Sequence, residues 1–215
     1  MKSTGARGSV WSTVAVIVGI VAAGTVVAGL LHEPQPEPIA IPGCEEVIQP
    51  EDLVRVNYAF AIEGDFDSSE VPWRFEAKSQ AMTDALIAAL PNGSVVEPEP
   101  FTPAFGFDAL AVRQSFDGEA RALGTITVGN RTGIVSVSVG LSDRPAGPCF
   151  AGVVEERSTQ SDGTVLDIVD RRDTKRVIAL ATDGTRIDVN AHGVLTLDQV
   201  IDIALAPGLR ASAPA

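Results

Sequence analysis

The chain has few of the residues that usually carry catalysis or bind metals. Its 215 residues include two histidines, two cysteines and one tyrosine, and aromatic residues make up only 5%. His32 and His192 lie far from each other and from both cysteines, without the close ligand spacing of zinc sites. A nucleophile elbow, a P-loop, a dinucleotide-binding glycine motif and an EF-hand loop are also missing from the sequence. The sequence therefore predicts no catalytic residue, no cofactor and no metal site.

Basic residues are scarce relative to acidic ones. Lys and Arg number 16 against 28 Asp and Glu, which gives a net charge of −12. Nucleic-acid binding depends on basic side chains that neutralise phosphates, so this balance argues against a nucleic-acid partner. The one basic cluster, residues 170–176, reads Asp-Arg-Arg-Asp-Thr-Lys-Arg. We interpret it as a charged hairpin tip or, alternatively, as a docking site for an acidic partner.

Apolar residues are concentrated near the N-terminus. No charged side chain occurs between Gly8 and Leu31, and about 20 apolar residues suffice for a helix to span a bilayer. Lys2 and Arg7 precede this run, so the positive-inside rule orients it. We expect a cytoplasmic tail at residues 1–9 and a transmembrane signal anchor in the plasma membrane at residues 10–31. Everything after the anchor would be extracytoplasmic.

Two alternatives to a signal anchor stay open. Small residues at positions 26–28 offer a signal-peptide cleavage site after Ala28, which would release a secreted domain. Residues 41–44, Ile-Pro-Gly-Cys, also resemble a lipoprotein processing site, although Pro42 disfavours cleavage there. Residues 32–43 contain four prolines and two glutamates, which is typical of a semi-rigid linker.

The two cysteines, Cys44 and Cys149, are predicted to form one disulfide. They are an even number in an exported segment, where thiols are oxidised. The folded extracytoplasmic domain is expected to span residues 44–210, and residues 211–215 to form a disordered tail.

Two segments have helical periodicity. In residues 73–90, Trp73 and four alanines recur at every fourth position, and Pro72 suits the first turn. In residues 197–206 the apolar residues form one face, with Thr196 and Gln199 as a capping box and a Pro-Gly stop after the helix.

From residue 109 onward the pattern is typical of β-structure. Turn residues separate seven candidate strands, at residues 110–116, 122–128, 134–141, 150–157, 164–171, 176–182 and 185–191. An Asp-Gly-Thr sequence opens two of them, at residues 162–164 and 183–185, and we interpret it as one hairpin turn used twice. Residues 95–107 predict a long connection or an irregular edge strand, whose Phe101, Phe105 and Phe107 either fill the core or line an apolar groove.

These patterns predict an α+β domain. Its antiparallel β-meander of five to seven strands would carry both helices packed on one face, preceded by the single transmembrane helix. The disulfide would join the start of the domain to the middle of the sheet.

The C-terminal residues carry a resemblance to a known group. Residues 183–209, DGTRIDVN…LTLDQVIDIALAPGL, resemble the ending of many actinobacterial single-pass exported proteins, and AALPNGS at residues 88–94 resembles a second recurrent segment. The resemblance implies a membrane-anchored exported domain. The group is functionally uncharacterised, so it supplies no site residues.

The functional prediction is a non-enzymatic binding or accessory domain of the cell envelope. Its partner would be an envelope protein or a small ligand. The alternative is an envelope hydrolase whose site is assembled only in three dimensions, from His192 and a serine or from neighbouring acidic residues such as Glu155, Glu156, Asp167 and Asp170. A third hypothesis is an accessory subunit that pairs through small residues of the membrane helix, namely Ala15, Gly19 and Ala23.

Overall fold

The computed structural model of the chain describes residues 38–49, 71–98, 105–114, 117–142 and 145–215. The predicted cytoplasmic tail and transmembrane anchor lie outside these residues. No helix within the described part is long and apolar enough to cross a membrane. Residues 39–215 belong to one compact unit, which therefore includes residues 39–43 of the predicted linker.

Three helices and nine strands are described in this unit, and seven of the strands follow one another without an intervening helix. The helices are α1 (Glu76–Ala89), α2 (Ala109–Gln114) and α3 (Leu197–Ala204). The strands are β1 (Val47–Ile48), β2 (Val95–Pro98), β3 (Ala120–Val128), β4 (Arg131–Leu141), β5 (Cys149–Phe150), β6 (Glu156–Thr159), β7 (Val165–Asp170), β8 (Thr174–Leu180) and β9 (Thr185–His192). Single 3-10 turns at Pro72–Arg74 and Pro207–Leu209 flank α1 and α3.

The main sheet has seven strands in the order β2-β3-β4-β9-β8-β7-β6, and all neighbours are antiparallel. The predicted α+β class with an antiparallel sheet is confirmed. The prediction of a single meander is wrong, because β9 pairs with β4. This pairing joins one meander, β2 to β4, to a second one, β6 to β9. The central strand β9 and its neighbour β4 bury valines in register, Val137 opposite Val189.

The core lies on the face of the sheet that the helices cover. Met82 and Leu86 of α1, and Val200 and Ile203 of α3, belong to the same buried cluster as Val137 of β4. Burial along β4 alternates as predicted, except at its end, where a leucine is 42% exposed.

The helix predicted at residues 73–90 begins later. Pro72 starts a 3-10 turn, and Phe75, in an extended conformation, precedes the first residue of α1. Trp73 is fully buried in that turn, and its Nε1 donates a hydrogen bond of 2.7 Å to the carbonyl oxygen of Gly118. The buried face of α1 runs through Met82 and Leu86, because these larger side chains remove more apolar area from water than alanines do.

The strand predicted at residues 110–116 is wrong. The described part of this segment is the short helix α2, in which Ala109 and Val112 are buried one helical turn apart. Asp108 precedes it, and its Oδ1 accepts a hydrogen bond of 2.7 Å from the N–H of Leu110. A segment of six residues is too short for its apolar pattern to distinguish a helix from a strand.

Residues 150–157 do not form one continuous strand either. Gly152, with a φ of 83°, interrupts the segment and separates β5 from β6. Strand β5 pairs in parallel with β1 to form a separate two-stranded sheet. The predicted disulfide between Cys44 and Cys149 is confirmed, but it links this small sheet and not the middle of the main sheet.

Two predictions concerned segments at the sheet edge and the chain end. Residues 95–98 form the edge strand β2, and Phe105 and Phe107 are buried in the core, whereas Phe101 lies outside the described residues. The predicted disordered tail differs from the structure, because Ala211 and Ser212 are hydrogen-bonded to the domain.

Candidate functional site: a cleft on the open sheet face

The sheet has a second face, which α1 and α3 do not cover. In β9, residues at every second position are buried in the core, so Arg186, Asp188, Asn190 and His192 lie on the opposite face. The same alternation places Arg176 of β8 on this open face. Its residues are mostly polar, in contrast to the apolar face beneath the helices.

A disulfide-linked segment covers one side of the open face. Residues 39–48 and 145–155 are joined by the disulfide, with the two Cα atoms 6.1 Å apart. They form a small apolar cluster of their own, in which Ile41, Cys149 and Val154 are buried. The segment contacts β6, where Arg157 donates its backbone N–H to Pro42 O at 2.9 Å.

Gly43 allows this close approach of the backbones. Its φ is 75°, and a Cβ atom there would lie only 1.8 Å from the carbonyl oxygen of Arg157. A glycine is therefore required at the point where the segment meets the strand.

Arginine–carboxylate pairs connect the strands of the open face. Arg157 binds Asp167 with Nε and Nη2, at 2.6 and 2.9 Å. Arg176 binds Asp188 in the same way, at 2.9 and 2.7 Å, and Arg186 donates a further bond of 2.8 Å to that carboxylate. The hydrogen bonds to their carboxylate partners raise the pKa values of Arg157 and Arg176.

A cleft with a volume of about 300 Å³ lies between the disulfide-linked segment and the strands β7, β8 and β9. Its lining combines apolar and polar residues. Its lining residues are Gly152, Val153, Val169, Arg171, Thr174, Arg176 and Asn190.

A hydrogen-bond network fixes the polar side of the cleft. Arg171 donates from Nε to Glu155 Oε1 and from Nη2 to Gly152 O, both at 2.9 Å. Glu155 also accepts the backbone N–H of Asp170 at 2.9 Å. The hydrogen bond from Arg171, followed by the one from Asp170, lowers the pKa of Glu155, so this carboxylate is ionised at neutral pH.

His192 lies next to this cleft, at the end of β9. It is exposed, and its Nδ1 is 3.1 Å from Thr174 Oγ1 on the neighbouring strand. The structure therefore brings the histidine together with a threonine. Neither Asp188 nor any other described carboxylate is hydrogen-bonded to this pair.

Three of the four acidic residues proposed for a hydrolase have a cationic partner, whereas Glu156 is exposed and has no ion pair in the described part of the chain. Asp167 binds Arg157, Asp170 binds Lys175 at 2.5 Å, and Glu155 binds Arg171. The structure thus separates these carboxylates into ion pairs. Within the described residues, no three His, Cys, Asp or Glu side chains are arranged to hold a metal ion.

The predicted basic cluster at residues 170–176 is largely neutralised within the domain. Arg171, Lys175 and Arg176 each pair with a carboxylate. Its arginines differ in position, since Arg171 and Arg176 line the sheet-face cleft, whereas Arg172 borders another cavity near the start of α3.

A second cleft near residues 142–146 has a different character. It is formed largely by turn residues and includes Pro145, Ala146 and Leu180, and none of the lining residues that the structure describes is charged. Ligand sites usually combine apolar walls with a few convergent polar groups. The sheet-face cleft has this combination, and we therefore select it as the candidate site.

Sequence patterns alone did not identify the cleft. Arg176 and Asn190 lie opposite each other on the β8–β9 hairpin, but Arg171 lies before β8 and Val153 comes from the disulfide-linked segment. The alternation of polar residues in β9 was a usable signal for an open face. Nothing local indicated that the disulfide-linked segment would lie beside these strands.

Comparison with known proteins adds no relative, because no protein-family model, curated protein or solved structure matches the chain.

Proposed function

We propose that residues 39–215 form a non-enzymatic binding domain whose ligand or partner occupies the sheet-face cleft. The observation that carries this proposal is the fixed arrangement of Arg171 and Arg176. Each guanidinium is held by a carboxylate in a concave site that also has an apolar wall. Recognition sites need such preorganised donors, because little conformational entropy is then lost on binding.

The state of the carboxylates favours binding over acid–base catalysis. A general acid or base works best when its pKa is near the working pH. Glu155 has the opposite shift, since hydrogen bonds from Arg171 and Asp170 lower its pKa. Glu155 therefore stays ionised at neutral pH and holds the guanidinium of Arg171 in place.

The proposed location is the outer side of the plasma membrane, with the domain tethered by residues 10–31. The disulfide supports an oxidising compartment, and the charge pattern of the N-terminus supports the orientation. The relationship to the actinobacterial group is part of the same proposal. Protease digestion of intact cells that carry a C-terminal tag tests the orientation, and the mass of the mature chain tests cleavage after Ala28.

Site-specific photocrosslinking tests the binding function. A photoreactive amino acid replaces Asn190 in the cleft of the full-length chain, and the matched control carries it at Ala88. Both positions are exposed, but Ala88 lies on helix α1, which packs on the other side of the sheet. We expect a discrete adduct from position 190 only. Equal labelling from both positions, or no adduct from either, would contradict a binding role for the cleft.

The contact between Thr174 and His192 favours a second candidate, an envelope hydrolase. A hydroxyl within 3.1 Å of an imidazole nitrogen is the geometry of a nucleophile and its base. Turnover of ester substrates by the wild type that is abolished by both Thr174→Val and His192→Gln would support it. Activity that survives in both variants, or is absent from the wild type, would rule out this pair.

A further inference from the structure

We propose that the sheet-face cleft binds a monoanionic carboxylate that carries a small aliphatic group, such as the C-terminus of a peptide that ends in a small residue. This inference rests on the proposed binding function and adds the chemical class of the ligand. Three features of the cleft lead to it: unused hydrogen-bond donors, a balanced charge and an apolar wall of limited size.

The first feature is an excess of hydrogen-bond donors. Arg176 uses Nε and Nη2 for Asp188, and Arg171 uses Nε and Nη2 for Glu155 and Gly152 O. In both side chains Nη1 has no partner among the described residues. A guanidinium that is held along one edge by a carboxylate can still donate along another edge.

The carboxylate acceptors at the cleft are already engaged. Asp188 accepts bonds from Arg176 and Arg186, and Glu155 accepts bonds from Arg171 and from the backbone of Asp170. The side-chain amide of Asn190 is exposed and has no partner in the described part of the chain, so its Nδ2 is a further donor while its Oδ1 remains an open acceptor. A ligand rich in acceptor oxygens therefore complements the site better than one rich in donors.

The second feature is the charge at the cleft. Two guanidinium groups, of Arg171 and Arg176, pair with two carboxylates, of Glu155 and Asp188. Arg186, which also binds Asp188, is itself balanced by Glu119. A dianion such as a phosphate monoester would place two negative charges beside those carboxylates, whereas a carboxylate places one. Because like charges close together raise the free energy of the bound state, the balance favours a monoanion.

The third feature is the apolar wall. Val153 is 49% exposed, Val169 is nearly buried, and both line the cleft together with Gly152. Within a cavity of about 300 Å³ this wall has room for a methyl or isopropyl group next to the carboxylate. Burial of that group adds a favourable contribution that a bare carboxylate lacks.

Titration of the isotopically labelled full-length chain in detergent micelles, followed by NMR, tests the ligand class. The probes are N-acetylalanine, its neutral methylamide and inorganic phosphate. We expect N-acetylalanine to bind with a Kd of about 1–10 mM and to shift the signals of the Asn190 side-chain amide and of the backbone amides of Val153 and Thr174. Equal or stronger binding of the methylamide or of phosphate, or shifts spread over the whole domain, would overturn the proposal.

A pair of matched arginine variants locates the effect. Arg171 and Arg121 are similarly exposed, at 56% and 61%, and both pair with carboxylates on the surface. We expect Arg171→Gln to weaken N-acetylalanine binding about tenfold, as for the loss of a charge-assisted hydrogen bond. Arg121→Gln should leave the affinity unchanged, and an equal loss in both variants would point to a non-specific effect of charge.

Arg171 also holds the carbonyl of Gly152, so its replacement could loosen the disulfide-linked segment. Asn190→Leu provides the second variant, because this exposed side chain supports no other group. We expect it to weaken binding without changing the unfolding midpoint. The proposal is overturned if the Asn190→Leu variant and the Arg171→Gln variant both bind N-acetylalanine with the affinity of the wild type.

The two tests separate the ligand class from the function. No specific adduct at position 190 argues against the binding function itself. Photocrosslinking at position 190 is also carried out in excess N-acetylalanine as a competitor. If the adduct forms equally well, the binding function stands, but the assignment of a carboxylate ligand is overturned.

Discussion

Asp183 accepts two hydrogen bonds from Ser212, one from its backbone N–H at 3.1 Å and one from its hydroxyl at 2.6 Å. Although 29 residues separate them, this contact ties the C-terminal segment to the turn between β8 and β9. Asp162, in the turn before β7, accepts a bond of 2.7 Å from Arg210. Both acidic residues begin an Asp-Gly-Thr turn.

The threonines of the two turns take part in the same arrangement. Thr164 Oγ1 lies 3.0 Å from Arg210 Nη2, and Thr185 Oγ1 accepts the N–H of Ala211 at 2.8 Å. The repeated sequence therefore does more than form two hairpins. It provides two similar acceptor sites that hold consecutive residues of the C-terminal segment.

Deletion of residues 210–215 is expected to destabilise the domain by about 2–4 kcal/mol. Lys78 is only 4% exposed, and its Nζ donates to the carbonyl oxygens of Arg210 and Ala213, at 2.8 and 2.5 Å. Without the segment, this ammonium group is left in a buried position without its acceptors. Chemical denaturation followed by tryptophan fluorescence measures the effect.

Lys78→Met is the control for this explanation. The same deletion should cost less in the Lys78→Met background, because no buried charge is then left unpaired. An equal loss in both backgrounds would show that the tail stabilises the domain by other contacts.

The stability of the domain should depend on the ionisation of Asp183 in acid. Burial raises the pKa of Asp183, but hydrogen bonds from Ser212 and Thr185 outweigh it and lower the pKa from 3.8 to about 2. The folded state thus binds this proton less readily than the unfolded state. The carboxylate therefore stabilises the fold above about pH 4, and this contribution is lost as the pH falls toward about 2.

Asp183→Asn should remove this part of the acid dependence. The expected difference is below about 1 kcal/mol, because the group is partly exposed and screened by solvent. Thermal unfolding between about pH 2 and pH 5 measures it. Parallel pH profiles of the variant and the wild type would contradict the prediction.

Loss of the disulfide should act mainly on the segment that covers the open face. Cys44→Ser with Cys149→Ser is expected to destabilise the domain by about 2–4 kcal/mol. Among the described residues, the apolar cluster around the disulfide contains three buried side chains, which provide little cohesion without the covalent link. Hydrogen exchange should therefore increase first in residues 145–155.

Strands β4 and β9 serve as the internal reference for that experiment, because they lie in the main core. Their exchange should change much less than that of the segment. Equal acceleration in all strands would show that the disulfide holds the entire fold together.

The pair of Arg157 and Asp167 should contribute more to stability than pairs at the surface. Both side chains are only 13% exposed and are joined by two hydrogen bonds. Arg157→Met is expected to cost about 2–4 kcal/mol, since it leaves a nearly buried carboxylate unpaired. The double variant Arg157→Met/Asp167→Leu should recover part of that loss. Denaturant unfolding measures the free energy of unfolding of both variants.

The exposed pair of Arg121 and Asp117 is the matched control. Their side chains are 61% and 44% exposed, and Arg121→Gln should change the unfolding free energy by less than about 0.5 kcal/mol. Similar losses in the Arg157 and Arg121 variants would mean that burial does not govern the strength of these pairs.

Features set by neighbouring residues could be predicted well. The capping box of α3 is present, with Gln199 N donating to Thr196 Oγ1 at 3.4 Å and Thr196 N donating to Gln199 Oε1 at 2.9 Å. Strands β7, β8 and β9 lie within two residues of their predicted bounds. Caps and alternation depend on residues a few positions apart, so the sequence reports them directly.

Helix α2 shows where this local information ends. Its six residues have an apolar pattern that fits either a strand or a single helical face, and contact with the core decided between them. The same holds for the C-terminal residues, whose composition is typical of a free end. Acceptors on two distant turns order them instead.

The sequence by itself therefore determined the α+β class, the end helix, the hairpin strands and the identity of the two cysteines that pair. Only the tertiary structure decided that β9 lies beside β4, that Cys149 belongs to a separate small sheet, and that Arg171, Arg176 and Asn190 share one cleft. The reason is physical. Local structure follows from the periodicity and hydrogen bonding of adjacent residues, whereas strand order and the cleft depend on which apolar faces give the lowest free energy when distant segments pack together.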